Sequence, residues 1–154
     1  MDHHIPPKCI LVPVDFSDAS RAAASYAAQL AEPLGAELVL LHVIASIEQV
    51  EVLLEHRPGP IDWSTARDDA AAVAEDKLLT LGVAIGVENV RRIVREGAPA
   101  PLTADTAEEI DADMVVVGSH GRTGLRRALL GSVAERTCRL SPVPVLVVRW
   151  KSED

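Results

Sequence analysis

Two stretches of the chain place residues able to handle a phosphorylated ligand at the ends of apolar runs. The first is Pro13-Val14-Asp15-Phe16-Ser17, which sets a carboxylate just beyond an apolar segment. The second is Gly118-Ser119-His120-Gly121-Arg122-Thr123-Gly124, a loop rich in glycine and basic residues that leads to Gly131-Ser132. A phosphate needs backbone N–H groups that can approach closely, and glycine permits this because it lacks Cβ and reaches positive φ. A helix starting at Gly131 or Ser132 adds unpaired donors and a favourable dipole, which makes Gly131, Ser132 and Val133 seats for phosphate oxygens. Arg122, Arg126 or Arg127 could neutralise remaining charge. Asp15 would be repelled by phosphates but suits a ribose hydroxyl or an adenine amino group. That division of labour describes a nucleotide.

Simpler roles compete for the same residues. Ser132-x-x-Glu135 is also a capping box, and Asp15 could cap the helix that follows it, although Ser17 stands beside it for that task. The arginines read more naturally as a solvated helix face than as ligands. His42 and His120 read as hydrogen-bonded structural residues, since neither has a cysteine, histidine or carboxylate at metal-ligand spacing. The glycines of the Gly118 loop could merely permit a tight connection, but a turn does not require three of them with three arginines nearby. Gly-xxxx-Gly-Lys-Ser/Thr, the dinucleotide fingerprint and a Gly-x-Ser-x-Gly elbow are all absent, and no base is evidently placed to activate water. The two cysteines, Cys9 and Cys138, lie far apart in apolar surroundings and are expected to be buried, reduced packing residues.

Five apolar runs alternate with segments of helical periodicity, the pattern of an α/β protein with a parallel sheet. The runs are Lys8 to Val14, Glu37 to Val43, Val90 to Arg95, Met114 to Gly118 and Val145 to Arg149. Three of them are apolar at both odd and even positions, as strands covered on both faces should be. Between the first two, Ala23, Tyr26, Ala27, Leu30 and Leu34 recur at helical steps, with Ser17 placed to cap and Gly35 to stop. A second helix is predicted over Ser64 to Leu81, with Ala70, Val73, Ala74, Leu78 and Leu81 on one face and Gly82 ending it. A third begins near Pro99 and runs to about Ile110; a fourth starts at Gly131 or Ser132 and ends before Ser141-Pro142. Ser46 to Asp62, containing Arg57-Pro58-Gly59-Pro60, reads as a surface loop, partly helical over Ile47 to Leu54.

These elements fit one domain over the 154 residues, with an ordered core at about 7–150. A hydrophobic share of 48% with 25% charged residues is the balance of a folded globular chain. The formal net charge of −8, spread along the chain, disfavours nucleic acid and anionic membranes as partners. No apolar stretch approaches the ~18 to 20 residues that span a bilayer, and a cytoplasmic location is expected.

The spacing Gly118-xx-Gly121, nine residues, Gly131-Ser132 resembles the ATP-binding signature of universal stress proteins. Val14-Asp15-Phe16-Ser17, Leu41-His42-Val43, Glu96-Gly97-Ala98-Pro99, the run from Asp113 to Arg122, the run from Leu129 to Val133 and that from Pro142 to Val148 extend the likeness over nearly the whole chain. The resemblance implies an open, Rossmann-like sheet of five parallel strands in the order 3-2-1-4-5, with helices on both faces. It implies adenine and ribose contacts from Val14, Asp15 and Val43, and phosphate contacts from Gly118, Gly121, Gly131, Ser132 and Val133. Pro13 and Val117, at the two strand ends, complete the cofactor-binding set. The implied cofactor is ATP, with Mg2+ or Mn2+ carried by the phosphates, and the implied partner is a second copy joined through the last strand, Val145 to Arg149. With a phosphate cradle but no catalytic apparatus, the chain is expected to be a nucleotide-dependent stress-response regulator; the alternative is a slow ATPase or nucleotidyl-transfer enzyme on the same fold.

Overall fold

A computed structural model describes residues 6–49, 62–120 and 130–150. Five strands, β1 (Cys9–Pro13), β2 (Glu37–Ile44), β3 (Arg91–Glu96), β4 (Met114–Gly118) and β5 (Val145–Val148), form one sheet in the order β3-β2-β1-β4-β5. Every neighbouring pair is parallel. Among the described residues the crossovers carry α1 (Asp18–Leu34), α2 (Trp63–Ala84), α3 (Pro99–Glu109) and α4 (Ser132–Leu140). The predicted architecture and strand order are therefore observed, with strand ends displaced by at most one residue.

Alternation along the strands divides the core into two layers. Ile10, Val12, Leu38, Leu40 and Val116 point to one face, where α1 supplies Ala23, Ala24, Ala27 and Ala31 and α2 supplies Leu78 and Leu81. Cys9, Leu11, Val39, Leu41, Val115 and Val117 point to the other, against Ala107 of α3 and Ala134 of α4. At the amino ends of the strands, the buried Asp113 accepts hydrogen bonds from the N–H groups of Lys8 (2.8 Å) and Cys9 (3.0 Å), tying the start of β1 to the start of β4.

Ser17 caps α1 by accepting from the Ser20 N–H, and Gly35 ends it in the left-handed conformation at φ 62°, as its sequence position suggests. The buried face of α1 is nevertheless its alanines, while Tyr26 is 50% exposed. Small residues let the helix lie close on a sheet already filled by branched side chains, and the larger tyrosine is left at the boundary. On α2, Ala70 and Val73 are exposed instead of buried, because only Ala74, Leu78, Leu81 and Gly82 meet the sheet. Gly82 does not end α2: it is buried within it, and a Cβ there would stand 2.5 Å from Val90 Cγ1. The positive φ that follows the helix falls to Gly86, at 80°. Cys138 is exposed, contrary to expectation, because α4 buries only Ala134 and Thr137. Of the 46–62 segment, residues 47–49 are helical and 50–61 lie outside the described residues.

Candidate functional site

The carboxyl ends of the central strands separate where the strand order reverses. The β1–β4 ladder runs only to Leu11–Val115, whereas β1 stays paired with β2 as far as Pro13–Leu41 and β4 with β5 as far as Gly118–Val148. A crevice at such a switch point is where open α/β sheets receive ligands.

On the β1 side, the Asp15 carboxylate accepts from both the N–H and the hydroxyl of Ser17, bracing the cap of α1 without itself being the cap. Phe16 between them adopts φ 65°, a conformation disfavoured for a bulky side chain. Its ring is held 4.6 Å from that of His42, with Lys77 Nζ 5.4 Å from the ring centroid. His42 Nδ1 lies 2.6 Å from the Val14 carbonyl oxygen, which can only accept, so Nδ1 carries the hydrogen. The Val14 N–H donates to Leu41 O at 2.7 Å and its side chain is buried in the α1–α2 layer. Pro13 is half-buried at the end of β1, and Val43 and Val117 face the α3–α4 layer.

On the β4 side, Gly118 passes beneath the first turn of α1, so that a Cβ would stand 2.6 Å from Ala19 O. Packing alone therefore demands glycine here, whatever a ligand requires. Gly131 is the N-cap of α4 at φ −61°, ψ 153°, and donates its N–H to Ser119 O at 2.7 Å. Because Gly131 is the cap, Ser132 is the first helical residue, and the Ser132–Glu135 capping box does not form; the Glu135 carboxylate instead pairs with Arg139 at 2.7 Å. The N–H groups of Ser132 and Val133 belong to the first turn, which has no intrahelical acceptors. Gly121, Gly124, Arg122, Arg126 and Arg127 lie outside the described residues. Pro13, Val14, Asp15, Val117, Gly118, Gly131, Ser132 and Val133 thus belong to two adjoining strand ends and the helix start beside them, with Val43 on the neighbouring strand.

Sequence reasoning read His120 as a hydrogen-bonded structural residue and assigned Ser119 no role. Ser119 Oγ lies 2.9 Å from His120 Nδ1, and the buried His120 Nε2 has no hydrogen-bond partner among the described residues. The signal available was their position inside the glycine-rich loop, which the flanking glycines overshadowed.

The model of the universal stress protein family matches residues 7–149, which include all five strands and α1 to α4. The chain belongs to the universal stress protein family. Universal stress protein MJ0531 of Methanocaldococcus jannaschii is 35% identical over 144 residues, covering 92% of this chain and 82% of the relative. A universal stress protein of Mycolicibacterium smegmatis is 34% identical over 140 residues, but this chain spans only 45% of its length. Among solved structures, hypothetical protein MJ0577 superposes with a TM-score of 0.76 at 29% identity, covering 95% of this chain and 98% of that one. A universal stress protein crystallised in complex with cAMP gives 0.63 at 25% identity, covering 94% and 98%.

Proposed function

We propose that this universal stress protein binds an adenine nucleotide, ATP foremost, in the crevice between β1 and β4 and acts as a nucleotide-dependent regulator. The observation that carries the reading is the start of α4 at the carboxyl end of β4, with the first-turn N–H groups of Ser132 and Val133 left for an anion. Gly131 already gives its N–H to Ser119, so its part is to bring the backbone close. His120 Nε2, buried with no partner among the described residues, would be a further donor to the phosphate, and the cAMP held by a relative supports an adenine nucleotide as the ligand class. Asp15, Val14, Pro13 and Val43 line the adenine and ribose side, with Val14 buried and its backbone engaged, so its share of the contact is small. Val117, Gly118 and Gly121 border the phosphates. Among the described residues no group of three His, Cys, Asp or Glu side chains could hold a metal ion, and Mg2+ or Mn2+ would be carried by the phosphates. A second copy would pair through residues 145–149.

Ser132→Pro tests the site with little cost to the fold. Proline suits the first helical position, and the residue before it must be extended, as Gly131 already is. The substitution removes one N–H, and a hydrogen bond to a charged group is worth about 1.5–3 kcal/mol. Calorimetric titration of Mg·ATP into nucleotide-stripped protein should show affinity about tenfold or more weaker in Ser132→Pro and lost in Asp15→Ala and Gly121→Val. Equal affinity in Ser132→Pro would remove α4 from the site; no binding by the unmodified protein would end the ATP reading. Steady-state hydrolysis in the same samples should stay at background.

A further inference from the structure

Ser119 stands where β4, β5 and α4 meet, and its hydrogen bonds depart from the ladder it ends. In a parallel ladder a residue's N–H and C=O bond to the residues before and after its partner on the next strand. The Ser119 N–H follows the rule, donating to Val148 O at 2.9 Å. Its carbonyl should then accept from the N–H of Trp150. That carbonyl is instead taken by the N–H of Gly131, the cap of α4, at 2.7 Å, and the Trp150 N–H bonds to Ser119 Oγ at 3.4 Å. The hydroxyl stands in for the carbonyl, and the carbonyl is released to the helix. Oγ also pairs with His120 Nδ1, which fixes its direction, and the residue is buried, so water does not compete for these bonds.

We propose that Ser119 is an exchange point that couples nucleotide occupancy at the start of α4 to the carboxyl end of β5. Two arrangements of the same groups are available. In one, α4 holds the carbonyl and the hydroxyl holds Trp150; in the other, Trp150 takes the carbonyl and Gly131 is released. A ligand on the α4 N-terminus selects the first, because it orders the cap that donates to Ser119. Ser119 is thus a positioning residue, and the strand end it governs lies beside the edge offered to a second copy. This coupling rests on the nucleotide reading above.

The test is amide hydrogen exchange at Gly131 and Trp150, followed by NMR in the full chain with and without Mg·ATP, with calorimetry on the same samples. In Ser119→Ala the two amides must share one carbonyl. Without ligand, both should exchange faster than in the unmodified protein. With Mg·ATP, Trp150 should exchange about fivefold or more faster in Ser119→Ala, the low end of ordinary coupling, and unchanged or slower in the unmodified protein. Should the alanine variant not fold, Ser119→Cys, of similar shape and a weak acceptor, takes its place. Unaltered exchange at both amides in the ligand-free variant would overturn the exchange point. Binding without the opposite responses at Trp150 would overturn the coupling. Absence of binding to the unmodified protein would instead remove the nucleotide reading, and with it the coupling, leaving the ligand-free comparison to decide on the exchange point.

Discussion

Gly118 answers to two demands, and the structure ranks them. Its Cβ would overlap the backbone of Ala19, which cannot rotate away as a side chain could. Gly118→Ala should lower the free energy of unfolding in urea by about 1–3 kcal/mol, with no nucleotide present. A variant of unchanged stability would show that α1 yields and that the glycine serves the ligand. The cysteines separate in the same way. Burial, with Glu37 and Asp113 nearby, pushes the Cys9 thiol up to about 11, while Cys138 is exposed. Since the thiolate is the reactive form, a disulfide reagent at pH 8 should titrate one thiol rapidly and the second only on unfolding; two fast thiols would contradict the burial of Cys9. The residues at the strand ends were legible from spacing. The Ser119 exchange was not, because a hydroxyl replacing its own carbonyl leaves no mark on composition or period.

Helix limits were most legible where a side chain or a positive φ enforces them, as Ser17 and Gly35 do for α1 and Pro99 does for α3. They were least legible at Gly82, where helical propensity argues for a stop but contact with Val90 requires the small residue inside the helix. The face of a helix was harder still: on α1 the sheet selects small alanines over Tyr26. Between α3 and α4 a different feature emerges. Thr106 and Thr137 are fully buried, and their hydroxyls have no hydrogen-bond partner among the described residues. Removing an unsatisfied buried hydroxyl relieves its desolvation cost, so Thr137→Val should raise stability by about 1 kcal/mol in denaturant titration. A loss of that size would mean that a water or an undescribed group accepts or donates there.

The two edges of the sheet differ in chemistry. On β3, Arg91, Arg92 and Arg95 pair with Glu37 (3.8 Å), Glu75 (3.5 Å) and Glu109, and Glu96 pairs with Arg67 (3.0 Å). Exposed pairs of this kind add little stability, but charge along an edge deters another strand. β5 offers only Val145, Leu146, Val147 and Val148, all half-buried. Its ladder to β4 uses the carbonyls of Pro144 and Val148, so by alternation the N–H of Val147 faces outward. Sedimentation should find a dimer of the unmodified chain and a monomer for Val147→Pro, which removes that donor and spares the β4 ladder; a dimer in both would place the contact elsewhere. Sequence by itself determined the class of fold and the glycine and carboxylate positions at the strand ends, because these follow from local period, turn chemistry and spacing; the strand order came only through the family likeness. Tertiary structure decided that the Gly131 N–H is spent on Ser119, why Gly118 and Gly82 must be small, and how Ser119 joins a helix to a strand edge. Those depend on which backbone groups other elements have already claimed, and that is settled only when the elements pack.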